Sequence, residues 1–290
     1  MNICIVAGAR PNFIKVAPLI RAIERYQAQG NHKDLHYELI YSGRDDDPTL
    51  EDSLFNDLQI KKPTTYLGVD CANLNVLVGE VMAKFEHYLE EHPTDIVVVV
   101  DDLSSTMGVA IVTKKQGLIL AHIAAGTRSF DINMPKEINR LVIDGLSDIL
   151  FTAGISNNSI ANREGAELSK VYMVGNILID NLRLLHNKLH RPKLMDQLGL
   201  KKGEYIVFTL NRKKLIADEA NLHDMIAATC ESLKANAVPV VAPVRDKAAI
   251  AIKKAMQGTD SDMKLVEPLG YLDFMYLTAH AKGIITDSGN

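Results

Sequence analysis

Two adjacent carboxylates, Asp101 and Asp102, directly follow an apolar stretch at residues 95–100 that has the composition of a buried strand. At the carboxyl end of a strand such a pair could transfer protons or hold a metal ion. The same residues could instead cap a helix that begins at Ser104 or Ser105, because short polar side chains satisfy the free N–H groups of a first turn. Taken alone, this spacing favours the capping interpretation.

A denser polar group follows the next predicted strand, which ends at His122. Small residues form a turn there, a polar loop comes next, and a helix begins at Pro135. A single histidine at the end of a strand is typical of a structural role. No His, Cys or Glu set in this part of the chain has the spacing of zinc ligands, so no metal is expected. The polar group consists of Arg128, Glu137, Asn139 and Arg140.

Basic residues near the N-terminus could bind an anion. Gly8 permits a tight turn after the first strand, and Pro11 suits the first position of a helix. Arg10 then lies beside a helix N-terminus, where free N–H groups and the helix dipole favour negative charge, and Lys15 lies one turn further in. An ordinary capped turn is the alternative interpretation. The stretch is not G-x-G-x-x-G, which argues against a dinucleotide.

The second half of the chain offers two further anion candidates. Arg212, Lys213 and Lys214 follow a predicted strand, and three cations in a row could neutralise phosphates. A solvated loop is the alternative. Ser288 follows the last predicted strand, where its hydroxyl and the neighbouring backbone N–H groups could hold a phosphate.

The elements that must position these residues form two series of short apolar strands separated by amphipathic helices. Nearly continuous Ile, Val and Leu stretches are typical of strands buried on both faces, and this alternation predicts an α/β fold with parallel sheets. Ligands of such sheets bind beyond the carboxyl ends of the strands. The predicted strands are residues 3–7, 37–41, 95–100, 118–122, 149–151 and 171–174 in a first lobe, and 205–210, 238–242, 264–266 and 283–286 in a second.

The lobes are joined by a segment of mixed charge at residues 182–203, after a helix that begins near Leu178. We place the boundary there, which gives an N-terminal lobe of residues 1–180 and a C-terminal, nucleotide-binding lobe of residues 181–290. A doubly wound lobe should continue beyond its fourth strand with further elements. The second lobe is therefore expected to be incomplete, as a fragment or as a short gene product. Other predicted helices cover residues 74–90, 219–234, 247–256 and 271–279.

Composition excludes several classes of protein. A chain of 290 residues with 47% hydrophobic and 23% charged residues is globular and suits two domains. A net charge of -4 without a basic block argues against nucleic acid. Three scattered cysteines form neither a metal pair nor a disulfide framework. No stretch approaches the roughly 20 apolar residues of a membrane span, and no signal peptide precedes the first strand. The expected location is the cytoplasm.

Six stretches together resemble the UDP-N-acetylglucosamine 2-epimerase family, in its non-hydrolysing bacterial form. The similarity covers nearly the whole chain, and the stretches occur in the family's order. They are residues 8–11 with Ile14 and Lys15, residues 122–129, residues 134–140, residues 175–176 with Ile179 and Asp180, residues 267–274, and residues 286–289.

The resemblance implies two Rossmann-like lobes that face one another across a cleft, as in two-lobe glycosyltransferases, with UDP held largely by the second lobe. It implies interconversion of UDP-N-acetylglucosamine and UDP-N-acetylmannosamine by elimination and re-addition of UDP. No NAD, other cofactor or essential metal is implied. The implied partners are a UDP-sugar substrate and a second copy in a homodimer, and the implied context is cell-surface polysaccharide biosynthesis. A glycosyltransferase would share the architecture but needs an acceptor site that the sequence does not show.

The family's site residues carry over unevenly onto this chain. Asp102 matches an acid of the family, and with Lys136 and Glu137 it forms the expected catalytic set. The other matches are expected to bind the substrate. They are Arg10 and Lys15 on the phosphate side, Phe274 near the uracil, Ser288 and Gly289 at the phosphates, and Arg128, Asn211 and Arg212 in matching stretches.

Several positions depart from the family's pattern. Ala124 stands where the family has Glu in His-x-Glu-Ala-Gly, Lys136 where it has the first Glu of Pro-Glu-Glu, and Asn211 where it has the His of His-Arg. Loss of a general acid or base costs on the order of 10²–10⁴-fold in rate. The sequence therefore supports two interpretations: an epimerase with weakened activity, or a catalytically inactive UDP-sugar-binding relative. Smaller departures are Asp101 for Gly, Arg44 and Asp45 for Gln-His, and Arg245 for His.

Overall fold

The computed structural model describes residues 1–30, 34–165, 170–235, 238–258 and 263–288. Within this part of the chain, the contacts between residues define two units, Met1–Leu184 and Leu185–Asn290. The division falls after residue 184, whereas the sequence predicted a boundary after residue 180. Each unit contains one parallel sheet with its own hydrophobic core.

The sheet of the first unit has seven strands in the described residues, all parallel, in the order β3-β2-β1-β4-β5-β6-β7. Its central strands are buried because they carry unbroken runs of apolar residues, such as Val97–Val100 of β4. The strands are β1 (Asn2–Ala7), β2 (His36–Tyr41), β3 (Thr65–Tyr66), β4 (Ile96–Val100), β5 (Ile119–Ala125), β6 (Ile149–Thr152) and β7 (Lys170–Met173).

Helices connect consecutive strands of this sheet, as the alternating sequence pattern predicts. Val81 and Phe85 lie one turn apart on one helix and pack into the same core as Cys4, Val97 and Val99 of the central strands. The helices are α1 (Arg10–Ala28), α2 (Asp52–Leu58), α3 (Leu74–Glu91), α4 (Ser104–Lys115), α5 (Pro135–Leu146), α6 (Ile155–Glu164) and α7 (Leu178–Leu185).

The second unit has a four-stranded parallel sheet in the described residues, in the order β10-β9-β8-β11. Phe208, Ile226 and Ile252 form part of its core. The strands are β8 (Ile206–Thr209), β9 (Val240–Pro243), β10 (Lys264–Val266) and β11 (Gly283–Thr286), and the helices are α8 (Lys193–Gln197), α9 (Lys213–Ala217), α10 (Glu219–Ala235), α11 (Asp246–Ala255) and α12 (Tyr271–Ala279).

The predicted α/β class with two parallel sheets is therefore confirmed. The ends of the strands differ from prediction by up to three residues, the largest difference being at β5, which ends at Ala125 and not at His122. The register of β5 against β6 shifts between Ile123 and Ala125, and Ala124 has a positive φ of 68°. The two-residue strand β3 was not predicted. In the described part of the chain, no helix is long and apolar enough to cross a membrane.

Candidate active site

The candidate site lies at the carboxyl edge of the sheet of the first unit. Strands β1, β4 and β5 are neighbours in the order β1-β4-β5, so the loops after them lie side by side. Arg10 begins the helix after β1, the two aspartates follow β4, and the polar loop before α5 follows β5. The fold thus brings together groups that are far apart in the sequence.

Asp102 is held by two cations from one face of α5. Its Oδ1 accepts a hydrogen bond from Lys136 Nζ at 3.1 Å, and its Oδ2 accepts from Arg140 Nε at 2.8 Å and Nη2 at 2.7 Å. Asn139 Nδ2 donates to the backbone oxygen of Asp102 at 2.8 Å. Lys136, Asn139 and Arg140 lie three and four residues apart, which places them on one side of the helix. The result is a carboxylate between an ammonium and a guanidinium.

Neither aspartate caps helix α4. The helix begins at Ser104, as predicted, but its N-cap residue Leu103 makes no side-chain capping bond. The side chain of Asp101 accepts hydrogen bonds from Asn12 and Lys15 of α1, and that of Asp102 accepts them from α5. The capping interpretation is therefore wrong, and both carboxylates bind side chains of the neighbouring helices α1 and α5.

Glu137 organises the loop before α5. Its carboxylate accepts hydrogen bonds from the backbone N–H and hydroxyl of Ser129, both at 2.9 Å, from the Phe130 N–H at 3.0 Å and from Arg140 Nη1 at 3.1 Å. Burial alone would raise the pKa of Glu137, but these four donors lower it to about 2. A carboxylate held in this way stays ionised, so the geometry favours a positioning role over proton transfer.

Glutamine in place of Glu137 is expected to lower the free energy of unfolding at neutral pH by about 1–3 kcal/mol. The folded-state pKa of about 2 lies below the ordinary value of 4.5, so the stabilisation is complete above about pH 4.5 and is lost as the pH falls through about 2. Urea denaturation over this range should show the difference between Glu137→Gln and the wild type shrinking with acidification. Glu90→Gln, at an exposed carboxylate beside His87, is the matched control. A difference that is independent of pH would contradict this account.

A buried ionic network lies beneath the loops. His122 Nδ1 lies 2.7 Å from Asp144 Oδ1, and Arg128 Nη1 donates to Asp144 Oδ2 at 2.7 Å. The Gly126 N–H also donates to Asp144, at 3.0 Å. Burial would raise the pKa of Asp144, but His122 and Arg128 hold it below its ordinary value. Sequence reasoning missed Asp144, although its position four residues after Arg140, on the same face of α5, was a signal.

Arg128 was predicted to bind the substrate, but the structure places its guanidinium in the interior. The side chain is only 2% exposed, and its Nε donates to Glu164 at 2.8 Å in addition to the bond with Asp144. Its Nη1 also donates to the Thr127 carbonyl at 2.8 Å, so these hydrogen bonds all go to groups of the protein. The structure therefore supports a role for Arg128 in fixing the loop after β5. His122 has the structural surroundings that its isolated position predicted.

The loop between β1 and α1 is tied to Asp101. Asn12 Oδ1 accepts hydrogen bonds from the Gly8 N–H at 2.8 Å and the Ala9 N–H at 3.1 Å, while Asn12 Nδ2 donates to Asp101 at 2.9 Å. Lys15 Nζ forms an ion pair with the same carboxylate. Lys15, a predicted phosphate contact, is therefore buried and engaged with Asp101, whereas Arg10 is half-buried at the start of α1.

A cavity of about 480 Å³ lies against this loop. Gly8, Ser42 and Ser105 line it where β1, β2 and α4 meet, and Arg44 and Asp70 line its sides. A side chain in place of Gly8 would collide with Ser105, so the close approach of the backbone requires glycine there. A polar ligand could occupy this space at the carboxyl edge of the sheet.

In the second unit, Asp287 fixes the loop that follows β8. Its carboxylate accepts hydrogen bonds from the backbone N–H of Asn211 at 2.9 Å and of Arg212 at 2.6 Å, and Arg212 Nε donates to the Asp287 carbonyl at 2.9 Å. The predicted residues Asn211, Arg212 and Ser288 thus come together at the ends of the paired strands β8 and β11. Phe274 packs against the core of this unit. Gly289 lies outside the described residues.

These features define an α/β protein of two parallel-sheet units with an ionic cluster at the carboxyl edge of the first. Residues 27–290 match the model of the family described as UDP-N-acetylglucosamine 2-epimerase. The chain belongs to the UDP-N-acetylglucosamine 2-epimerase family, as its sequence motifs predicted.

Relatives and a solved structure agree with this membership. A UDP-N-acetylglucosamine 2-epimerase homolog of Methanococcus maripaludis is 33% identical over all of this chain and 79% of its own length. A UDP-2,3-diacetamido-2,3-dideoxy-D-glucuronate 2-epimerase of Pseudomonas aeruginosa is 29% identical over all of this chain and 78% of its own length. The crystal structure of the Methanocaldococcus jannaschii UDP-GlcNAc 2-epimerase with UDP-GlcNAc and UDP superposes with a TM-score of 0.84 at 26% identity, covering all of this chain and 79% of that one.

Proposed function

We propose that this chain binds UDP-N-acetylglucosamine and inverts its C2 centre to give UDP-N-acetylmannosamine. The observation that carries the proposal is the Asp102 carboxylate held between Lys136 and Arg140 at the carboxyl end of β4. Proton transfer at C2 needs a base and an acid within reach of the same carbon atom. Asp102 and Lys136 are such a pair, with 3.1 Å between Oδ1 and Nζ.

The chemistry balances with these two groups. Asp102 removes the proton from C2, the C1–O bond breaks, its electron pair leaves with UDP, and a C1=C2 double bond forms. UDP then adds back to C1 while a proton is delivered to the opposite face of C2. Lys136 is 57% exposed, and we propose that its side chain leaves Asp102 when the substrate binds and delivers that proton from the opposite face, whereas Asp102 is largely buried and fixed by Arg140. Arg140 thus keeps the base in place, and when the product leaves, the proton taken up by Asp102 passes to Lys136 through their hydrogen bond, which restores both groups.

The leaving diphosphate needs positive charge and hydrogen-bond donors. Arg10 supplies a guanidinium at the first residue of α1, where the free N–H groups of the helix also favour an anion. The second unit, taken by itself, presents Arg212, Lys213 and Lys214 after β8, and Asp287 fixes the backbone of that loop. We propose Arg10 as a phosphate contact in the first unit. Within the second unit, we propose Asn211, Arg212 and Ser288 as phosphate contacts and Phe274 as the contact of the base, and Gly289 stays a prediction.

A second function, UDP-sugar binding without turnover, is favoured by one observation. Ala124 stands at a strained position of the site, with a φ of 68°, and carries no group that can transfer a proton. A family member with a carboxylate there would have one more acid or base than this chain. The two functions predict the same ligand and differ only in whether the C2 proton exchanges.

Proton exchange at C2 distinguishes them. The purified chain is incubated with UDP-N-acetylglucosamine in deuterated water, and the H2 signal is followed by NMR. Deuterium at C2 together with a manno-configured product is the expected result. Binding with an unchanged H2 signal would leave only the non-catalytic function. The same assay with UDP-2,3-diacetamido-2,3-dideoxy-D-glucuronate tests the sugar, because a relative at 29% identity is named for that substrate.

We further propose that the protein acts as a homodimer in the cytoplasm and contributes to cell-surface polysaccharide biosynthesis. The support is the family membership, since the family is commonly dimeric and makes nucleotide sugars. Sedimentation equilibrium of the purified chain measures its mass directly. A mass of one chain at all accessible concentrations would contradict the dimer.

A further inference from the structure

Asp101 combines an unusual backbone conformation with a carboxylate that forms an ion pair. Its φ is 61°, in the left-handed region that glycine adopts freely and that other residues rarely adopt. The family's sequence pattern has glycine at this position. In this chain the turn after β4 therefore keeps a shape suited to glycine while carrying an additional carboxylate. Asp and Asn tolerate this region better than most residues because their short side chains bond locally.

The additional carboxylate binds two side chains in the first turns of α1. Asn12 Nδ2 donates to its Oδ2 at 2.9 Å, and Lys15 Nζ forms an ion pair with its Oδ1. The side chains of Asp101 and Lys15 are 19% and 11% exposed, so water screens the pair only partly. The backbone carbonyl of Asp101 also lies 3.0 Å from His122 Nε2, which fixes the turn from below.

We propose that Asp101 is a positioning residue that neutralises Lys15 and thereby lowers the affinity of the site for the diphosphate of the ligand. This inference rests on the proposed function, because it concerns the same UDP-sugar site. Lys15 lies one turn after Arg10, the proposed phosphate contact. Its ammonium would attract a diphosphate if it were alone, but with Asp101 beside it the pair has no net charge.

The charge balance predicts opposite effects for the two single substitutions. Asp101→Asn leaves Lys15 with an uncompensated positive charge and should tighten the binding of UDP by roughly tenfold. Lys15→Met leaves Asp101 with an uncompensated negative charge and should weaken binding by a similar factor. The double variant restores a neutral loop and should bind UDP within about twofold of the wild type.

The double variant separates this proposal from a direct contact between Lys15 and the phosphate. If Lys15 touched the ligand, the double variant would bind as weakly as Lys15→Met, and that result overturns the proposal. The gain from Asp101→Asn should also shrink between about 0.05 and about 0.5 M salt. Asp148→Asn is the matched control, because Asp148 pairs with Lys114 at the amino edge of the same sheet.

Isothermal titration calorimetry with two probes, UDP and inorganic pyrophosphate, completes the experiment. Asparagine tolerates the left-handed conformation, and glycine adopts it without strain. Asp101→Gly is therefore a second variant without the carboxylate, which can be measured if Asp101→Asn fails to fold. If every variant bound UDP and pyrophosphate with equal affinity, the uridine would contribute nothing to binding, which would argue against the proposed function. A tighter binding of pyrophosphate by Asp101→Asn would still support this inference. No gain with either probe overturns it.

Discussion

Asparagine in place of Asp102 is expected to lower kcat for C2 epimerisation by about 10²–10⁴-fold, because the amide cannot accept the C2 proton. Asparagine has the same shape and can still accept a hydrogen bond from Arg140 or Lys136, so KM should change far less than kcat. Both constants are measured with UDP-N-acetylglucosamine by following the formation of the manno product.

Asp52→Asn is the control for this substitution. Asp52 is an exposed carboxylate paired with Lys62 at the start of α2, and its loss should leave kcat unchanged. Lys136→Met should also lower kcat, since it removes the group proposed to return the proton. An Asp102→Asn variant that keeps more than about a third of the wild-type kcat would rule out Asp102 as the base.

Alanine in place of Asp144 is expected to lower the free energy of unfolding by about 3–5 kcal/mol, because it removes the carboxylate that the buried Arg128 and His122 share. His122, Arg128 and the Gly126 N–H all depend on that one side chain. Chemical denaturation measures this free energy from the unfolding transition of the first unit. The loop after β5 should loosen at the same time, which hydrogen exchange at Gly126 would report.

The control for Asp144 is Asp52→Ala, which removes an ion pair whose carboxylate side chain is 79% exposed. Exposed pairs contribute about 0–1 kcal/mol, so the stability should scarcely change. A loss below about 1.5 kcal/mol for Asp144→Ala would mean that the network is replaced readily by water or by local rearrangement. The network around Asp144 would then contribute little to the stability of the loop.

Strands and helices with a strong local pattern could be predicted from the sequence. Residues 97–100 are four consecutive valines, and this pattern alone predicts a strand that is buried on both faces. The helix Tyr271–Ala279 has the predicted bounds because Pro268 and Gly270 precede it and apolar residues follow at helical spacing. By contrast, β3 (Thr65–Tyr66) is too short to show any periodicity, and it exists only because it pairs with Ile40 and Tyr41.

The chemical groups of the site could be predicted, but their individual roles could not. Asp102, Glu137 and Arg140 were recognisable as a polar group near strand ends. The burial of Arg128 depends on Asp144 and Glu164, which lie 16 and 36 residues further along the chain. Such pairings arise from tertiary packing, which no local pattern encodes. The same holds for the ion pair that joins Lys15 to Asp101.

The left-handed backbone at Ala124 could carry a carboxylate after a single substitution. Alanine and glutamate both carry a Cβ, so the strain of a φ of 68° is already present and would not increase with the longer side chain. Ala124 is half-buried, which leaves its side chain access to the surface of the loop. The single substitution Ala124→Glu would thus add a carboxylate to this turn without rebuilding its backbone.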